Sequence, residues 1–422
     1  MTGAVRIRSR PRWLRTRSAV RACAGAVALI LACGSSANAQ DEAPDTRPLT
    51  VNGDVIVTAG SDDPGFFNYT DYERSALRLT RIGLVSTWRP NGRLLFLGEL
   101  RAEGDLTAGH WSVLPYAAYA QVRPWIERPI VIRAGRIPTA FGGFTRESYG
   151  AGNLLIGYPL AYQYLTPLRA DAVPASADDL LAMRGRGWYS GFPVGNLEWE
   201  HGSPIAAVFR YDTGASIVAG DMTDRATGSV SVTTGTLSNP RVSDDNGSLQ
   251  VAGRATLRPV VGLVLGASAS RGAFVADSVR RTLAGEAARR QYVQRAVGAD
   301  VEYSRDYWLV RSEFIASDWQ LPAVQAPLIE DPVGATSWLI EGRYAFAPGF
   351  AVAARYDRLW FSSIAGSGVQ ETWDADVSRI ETGVSYKFAR HVTAKISFQH
   401  NSRDGGRVRH ANLAAAQVRV WF

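Results

Sequence analysis

The feature that most restricts this 422-residue chain is a strict alternation of apolar and polar side chains, repeated over stretches of about ten residues. Around the stretch GVSYKFAR, Ile380, Thr382, Val384, Tyr386 and Phe388 share a face opposite Arg379, Glu381 and Lys387. In HVTAKISFQ, Val392, Ala394, Ile396 and Phe398 oppose Thr393, Lys395, Ser397 and Gln399. Trp308, Val310, Phe314 and Ala316 oppose Arg311 and Glu313, and Trp338, Ile340, Tyr344 and Phe346 oppose Glu341 and Arg343. Ile205, Ala207, Phe209 and Tyr211 stand in the same way against Arg210 and Asp212. Side chains on a strand point to opposite faces with period two, so this pattern predicts strands with one apolar and one polar face. After Ala32 no apolar run approaches the length of about 18 residues that a spanning helix needs.

Soluble sandwiches alternate too, so the connections decide. From about residue 248 onward, short links near Pro259, Asp306, Pro348 and Arg390 alternate with long ones near 272–290, 319–334, 362–375 and 402–408. Short turns at one end and long loops at the other are the habit of an outer-membrane barrel. Aromatic residues near predicted strand ends (Tyr303, Tyr307, Trp308, Trp319, Trp360, Trp373, Trp421) suit two interfacial girdles. A closed barrel also leaves no backbone edge unsatisfied in lipid. The fold class expected is all-β, a transmembrane antiparallel up-and-down barrel of about 16–18 strands with an inward-folding long loop. The upper count includes strands at 184–192 and 204–212, and 16 follows if the segment 184–203 is left unpaired.

Residues 1–39 carry seven arginines and no acid, then an apolar run Ala22–Ala32, then Ala37 and Ala39 at cleavage-site spacing. That order predicts a signal peptide over 1–39, followed by the barrel over 40–422. The stretch LILAC ending at Cys33 offers lipidation as an alternative processing site. Net charge is +7, from 46 basic and 39 acidic residues; subtracting the seven leader arginines leaves 39 of each. The exported part is therefore formally neutral, and no nucleic-acid partner is expected. Both cysteines, Cys23 and Cys33, fall in the leader, so no disulfide or thiol chemistry is expected beyond it.

On the polar faces, acid and base recur two residues apart: Glu99-x-Arg101-x-Glu103, Arg311-x-Glu313, Glu341-x-Arg343, Arg355-x-Asp357 and Arg379-x-Glu381. A charge on the lipid face at the midplane costs roughly 2–4 kcal/mol, so these residues are expected to face the lumen, as a hydrated pore wall or as a self-paired lining. Mixed signs argue against a strongly ion-selective pore. The longest connection, 137–183, is rich in apolar and aromatic residues and is expected to fold inward. The alternation Ala414, Ala416, Val418, Val420, Phe422 up to the terminal ring resembles the assembly signal of bacterial outer-membrane barrels, with Val418, Val420 and Phe422 as its core. RAGRIPTAFG, from Arg133 to Gly142, resembles a strand-end stretch of the phosphate-selective-type porin family, and the whole pattern resembles porins at large.

The resemblance implies a constriction in which Arg133, Arg136, Arg146 and Arg169 face Glu147, Asp171, Asp178 and Asp179. It implies passive diffusion of small polar or charged solutes through a water-filled barrel in the cell outer membrane. The partners implied are outer-membrane lipids, lipopolysaccharide, the barrel-assembly machinery and a homo-trimer. A helix over 277–291 would offer Arg280, Arg281, Arg289 and Arg290 to lipopolysaccharide phosphates. The five histidines show no metal-ligand spacing, and HNS at 400–402 sets neighbours on opposite strand faces, so no metal, cofactor or catalytic site is expected. The competing readings are a non-conducting surface barrel and an outer-membrane hydrolase.

Overall fold

The computed structural model describes residues 48–69, 75–105, 111–144, 153–207, 211–220, 223–241 and 243–422. The expected signal peptide, both cysteines, Arg146 and Glu147 lie outside these residues. Sixteen strands close a single antiparallel barrel. They are β1 (Leu49–Gly60), β2 (Leu79–Trp88), β3 (Leu94–Asp105), β4 (Trp111–Val122), β5 (Ile130–Ile137), β6 (Asp212–Ala219), β7 (Ala226–Thr233) and β8 (Gln250–Leu257). Then follow β9 (Leu263–Ala273), β10 (Val293–Arg305), β11 (Trp308–Trp319), β12 (Val333–Ala347), β13 (Phe350–Phe361), β14 (Val377–Ala389), β15 (Val392–Arg403) and β16 (His410–Trp421). Each pairs with its neighbour in sequence, and β16 closes on β1 from Asp54↔Trp421 to Gly60↔Ala415. The Phe422 amide donates to the Gly53 carbonyl and the Gly53 amide to the Phe422 carbonyl, both at 3.0 Å.

Burial follows the alternation. Ile217, Val230, Val251, Ile380 and Ile396 are exposed on the outer face, whereas Ser216, Ser231, Ala252, Glu381 and Lys395 on the inner face are buried. An apolar exterior on a closed hydrogen-bond ladder is what lipid requires. Among the described residues no helix is long and apolar enough to cross a membrane. Near the short turns, Trp88–Phe96, Trp308–Tyr344 and Phe350–Tyr386 stack at 5.2, 4.4 and 4.1 Å between centroids. They form an aromatic belt where headgroups begin.

Three expectations need correction. The segment 184–192 and the described residues 204–207 form no barrel strand, and Ile205 and Ala206 there are both fully buried; the next barrel strand begins at Asp212. The true connection between β5 and β6 therefore runs over 138–211. Trp319 and Trp373 are buried inside the barrel end, edge to face at 6.0 Å, and Trp421 lies on the inner face opposite Asp54, so none of the three belongs to a girdle. In 277–291 only Asp277–Arg280 is helical, and Arg280 is spent on Asp277.

Candidate functional site: the inward segment and the charged wall

Most of the acidic and basic residues that the sequence sets two apart on single strands find their partners across strands. Glu302, Arg311, Glu341, Arg355 and Glu381 are successive register partners on β10 to β14, alternating in sign around the wall. Arg311 Nε lies 2.9 Å from Glu302 and Nη1 lies 3.3 Å from Glu341. Arg355 reaches Glu341 at 2.9 Å and Glu381 at 3.5 Å. One rung nearer the long loops, Asp357 faces Arg379 and Arg379 faces Asn401, the latter bonded at 2.6 Å. Opposite charges directly across a ladder stabilise a sheet. On β2 and β3, Arg81 pairs with Glu103 at 2.6 Å and Arg101 with Glu99 at 2.7 Å.

At the centre of the ladder the charges are covered rather than hydrated. Side chains of Arg355 and Glu381 are 0 % exposed and that of Glu341 is 1 % exposed, because the segment 138–211 lies against them. The Gly157 amide donates to Glu381 (2.9 Å), and the Leu160 amide to Asp357 (3.0 Å). Arg355 donates to the Gly157 carbonyl and to Asn153 Oδ1, both at 3.0 Å. Arg379 donates to the carbonyls of Tyr158 (2.9 Å) and Phe67 (2.7 Å). Lys395 holds the carbonyls of Asn153 and Leu155. On β11, Glu313 accepts from the Gly143 amide (2.6 Å) and the Tyr162 hydroxyl (2.8 Å). Asp300 stands across from Glu313, and Arg254 on β8 neutralises it through bonds of 2.6 and 2.8 Å.

Inside this clamp the described residues of the segment form two short helices, α1 (Leu160–Gln163) and α2 (Ala177–Ala182). Its aromatic residues Phe141, Phe144, Tyr158, Tyr162 and Tyr164 are buried with Phe67 of the 61–78 connection in one apolar cluster. The second inward piece was not anticipated: Asn68 donates to Gln399 at 2.9 Å, and Gln163 donates to the Asn68 carbonyl at 2.7 Å. Lys395, one of only two lysines in the chain, was the one sequence signal for this anchoring.

Of the expected constriction residues six are described; Arg169 and Asp171 meet, and the other four make separate contacts. Arg169 is 2 % exposed, forked onto Asp171 at 3.0 and 2.8 Å, and donates to the carbonyls of Ser190 and Glu198. Burial opposes charge on Asp171, yet the Arg169 and Asn196 donors hold its carboxyl below the ordinary value. Asp179 completes the capping box of α2 with Ser176. Asp178 accepts from the Ser367 amide and hydroxyl in another outer loop. These four residues are loop-building contacts.

Arg133 and Arg136 sit on β5, apart from that group. Arg133 donates to Gln121 (3.0 Å) and lies over the Tyr119 ring at 5.7 Å. Arg136 donates to the Tyr211 carbonyl at 3.3 Å. Next to them the Arg101 guanidinium lies 3.4 Å from the Tyr116 ring centroid, and Tyr116 contacts Tyr211 at 4.7 Å. Arg343 is exposed on the inner face near the short turns. Among the described residues no cluster of His, Cys, Asp and Glu could hold a metal ion, and His400 bonds Asn412 in an exposed position.

The sequence matches no family profile. It matches no curated protein either. Solved structures do resemble it. The anion-selective porin from Comamonas acidovorans aligns over 89% of this chain and 99% of its own, with TM-score 0.53 and 10% identity. Salmonella typhi OmpF, in complex with daunomycin, aligns over 89% and 97%, with TM-score 0.53 and 15% identity. The loop-L8 deletion mutant of OmpT, an outer membrane protein of Vibrio cholerae, aligns over 89% and 99%, with TM-score 0.53 and 11% identity. At such identities the likeness is one of fold, and the fold is the outer-membrane porin barrel.

Proposed function

We propose that the chain is a passive diffusion porin for small polar solutes, seated in the outer membrane with the segment 138–211 permanently narrowing its lumen. The observation that carries this reading is the uneven anchoring of that segment, which touches the other side of the wall chiefly through Arg81 to the Tyr158 hydroxyl on β2 and Arg136 to the Tyr211 carbonyl on β5. Its hydrogen bonds to Ser268, Glu313, Asp357, Glu381 and Lys395 land on β9, β11 and β13–β15. The opposite arc, β3 to β5, carries Arg133 and Tyr119 on the inner face, beside the buried Arg101. A path between that arc and the segment would have basic and aromatic groups on one side. Mixed charge on the whole wall favours weak ionic selectivity. Lipid and lipopolysaccharide around the barrel, the assembly machinery reading Phe422, and a trimer of such barrels complete the proposal.

Single-channel conductance of the refolded protein in a planar bilayer under a salt gradient tests it. Stable open steps with a small reversal potential are expected. Silence from a correctly folded barrel would overturn the reading in favour of a plugged surface barrel, the alternative supported by the complete burial of the Glu341–Arg355–Glu381 ladder. Hydrolysis of an ester or peptide by the silent protein would point instead to an enzyme.

A further inference from the structure

On the outer face of the barrel wall, Arg271 on β9 and Arg295 on β10 are direct register partners, and both are exposed. Among the described register partners, this is the only place where two cations stand opposite each other. Like charges so placed repel and destabilise a sheet. Asp318, across from Arg295 on β11, is the one acid at this level, and Val251 on β8 flanks Arg271 on the other side. Neither guanidinium makes an ion pair or a side-chain hydrogen bond among the described residues. The connection that leads into β10 adds exposed Arg289 and Arg290 against exposed Glu286. One carboxylate beside two guanidinium groups leaves a positive patch on the wall.

The height of the pair decides what faces it. Arg295 stands ten residues along β10 from Arg305, the register partner of Trp308 in the aromatic belt. At about 3.4 Å per residue and a strand tilt of about 40°, this is roughly 25 Å along the membrane normal, the height of the apolar band of an outer-membrane barrel. The arginines therefore stand where the acyl region ends and the outer headgroups begin. Below them, on the same face, the wall is hollowed. Gly228, Gly253, Ala255, Ala267 and Ala269 line a trough of about 610 Å³ beside Ile217. Ala269 and Ala267 lie two and four residues below Arg271 on its own face of β9. At Gly228 no heavy atom lies within 4 Å of where a Cβ would stand. Arginine forks bind phosphate oxygens in bidentate fashion, and small residues let an apolar chain approach the backbone closely.

We infer that Arg271 and Arg295 form a docking site on the outer wall for an outer-leaflet lipid that carries a phosphate monoester, its acyl chain seated in the trough. A monoester bears a charge of about −1.5 to −2, which two arginines balance better than one. The inference needs the outer-membrane barrel and not its conduction. It gives the general lipid contact of the porin reading a place and a chemistry.

The test is native mass spectrometry of the full-length refolded protein released from a neutral detergent. The probes are dioleoyl phosphatidate, dioleoyl phosphatidylcholine and inorganic phosphate. Saturable retention of phosphatidate alone is expected, weakened by added salt. Arg271→Gln and Arg295→Gln should each weaken it about fivefold, the weight of one arginine at an anionic lipid surface. Arg358→Gln, which removes an outer-wall guanidinium lying over the Trp360 ring at 5.0 Å, should leave it unchanged. Gly253→Leu fills the trough and should weaken phosphatidate retention as well, with heat-modifiable migration showing every variant barrel closed. Equal retention of phosphatidylcholine, displacement of phosphatidate by an equal concentration of inorganic phosphate, or arginine variants that bind as the wild type does would overturn the inference. So would a Gly253→Leu protein that loses an oligomer and keeps its lipid, which would give the trough to a second copy of the chain. A silent barrel that retains the lipid would uphold the docking site and remove the porin reading; a conducting barrel without the lipid would do the reverse.

Discussion

Replacing Arg355 with alanine is the sharpest test of the clamp. The guanidinium makes two contacts to Glu341, one to Glu381 and two to the inward segment, at the Gly157 carbonyl and Asn153 Oδ1. Removing one partner of a buried ion pair costs about 3–5 kcal/mol because the other charge is stranded. Glu341 keeps Arg311 at 3.3 Å, so the lower end of that range applies, with Glu381 bearing most of the loss. About 3 kcal/mol corresponds to roughly 100-fold in the docking equilibrium of the segment, at 1.4 kcal/mol per tenfold. Arg355→Ala should therefore conduct in larger, noisier steps and admit protease to 153–165, while heat-modifiable migration shows the barrel still closed. Arg355→Lys, which retains charge without the fork, should fall between. If Arg355→Ala gives wild-type steps and a wild-type digest, the wall charges do not hold the segment and the argument fails.

Four further outcomes follow from the same contacts. Tyr162→Phe removes a 2.8 Å donor from Glu313 and should loosen the segment by about 1–3 kcal/mol, read as increased amide exchange at Gly143. Arg133→Glu reverses the charge opposite the anchored side and should move the reversal potential toward cation preference in the salt-gradient recording. Deleting Phe422 removes both bonds to Gly53 and should lower the fraction of heat-modifiable barrel, at about 1 kcal/mol per lost bond. Asp374 lies in the outer connection, where burial pushes its carboxyl up to about 7 against amide donors from Gly185 and Ala375. A carboxyl raised in the folded state takes up protons on folding, so its contribution to stability is present at acid pH and is lost as pH rises from about 4 to 7. Amide exchange at Gly185 and Ala375 should therefore quicken over that window, and Asp374→Asn should flatten the dependence.

How far the sequence reaches can be judged residue by residue. Strand positions from 248 onward were legible because alternation with period two is local, and so was the outward face of Val418, Val420 and Phe422. The segment 204–212 misled because Ile205, Ala207 and Phe209 are spaced two apart in the sequence, whereas Ile205 and its neighbour Ala206 are both fully buried. Arg169 faces Asp171 as expected, whereas Asp178 and Asp179 find other partners for a related reason. In an irregular segment nearby acids serve as caps and turn partners first, as Asp179 does at α2 and Asp171 does with Arg169. The Arg355–Glu381 contact depends on strand register, which one strand's pattern does not contain.

That register explains why so many charges sit where no water reaches them. A long segment with almost no helix or strand has amides and carbonyls that secondary structure does not pair, and buried backbone groups must find partners. In the lumen the available partners are wall side chains. Carboxylates Glu313, Asp357 and Glu381 take the amides of Gly143, Leu160 and Gly157, while cations Arg355, Arg379 and Lys395 take the carbonyls of Gly157, Tyr158 and Asn153. Each sign answers one kind of backbone group, so a wall serving both must carry both. The alternating ladder then keeps the charges neutral among themselves. A lining that the sequence offers as a hydrated wall or as a self-paired one is thus, around Glu341, Arg355 and Glu381, the hydrogen-bonding frame of an irregular insert. In the proposed pore, solute selectivity would come from the arc that the insert holds least, where Arg133 lies over Tyr119.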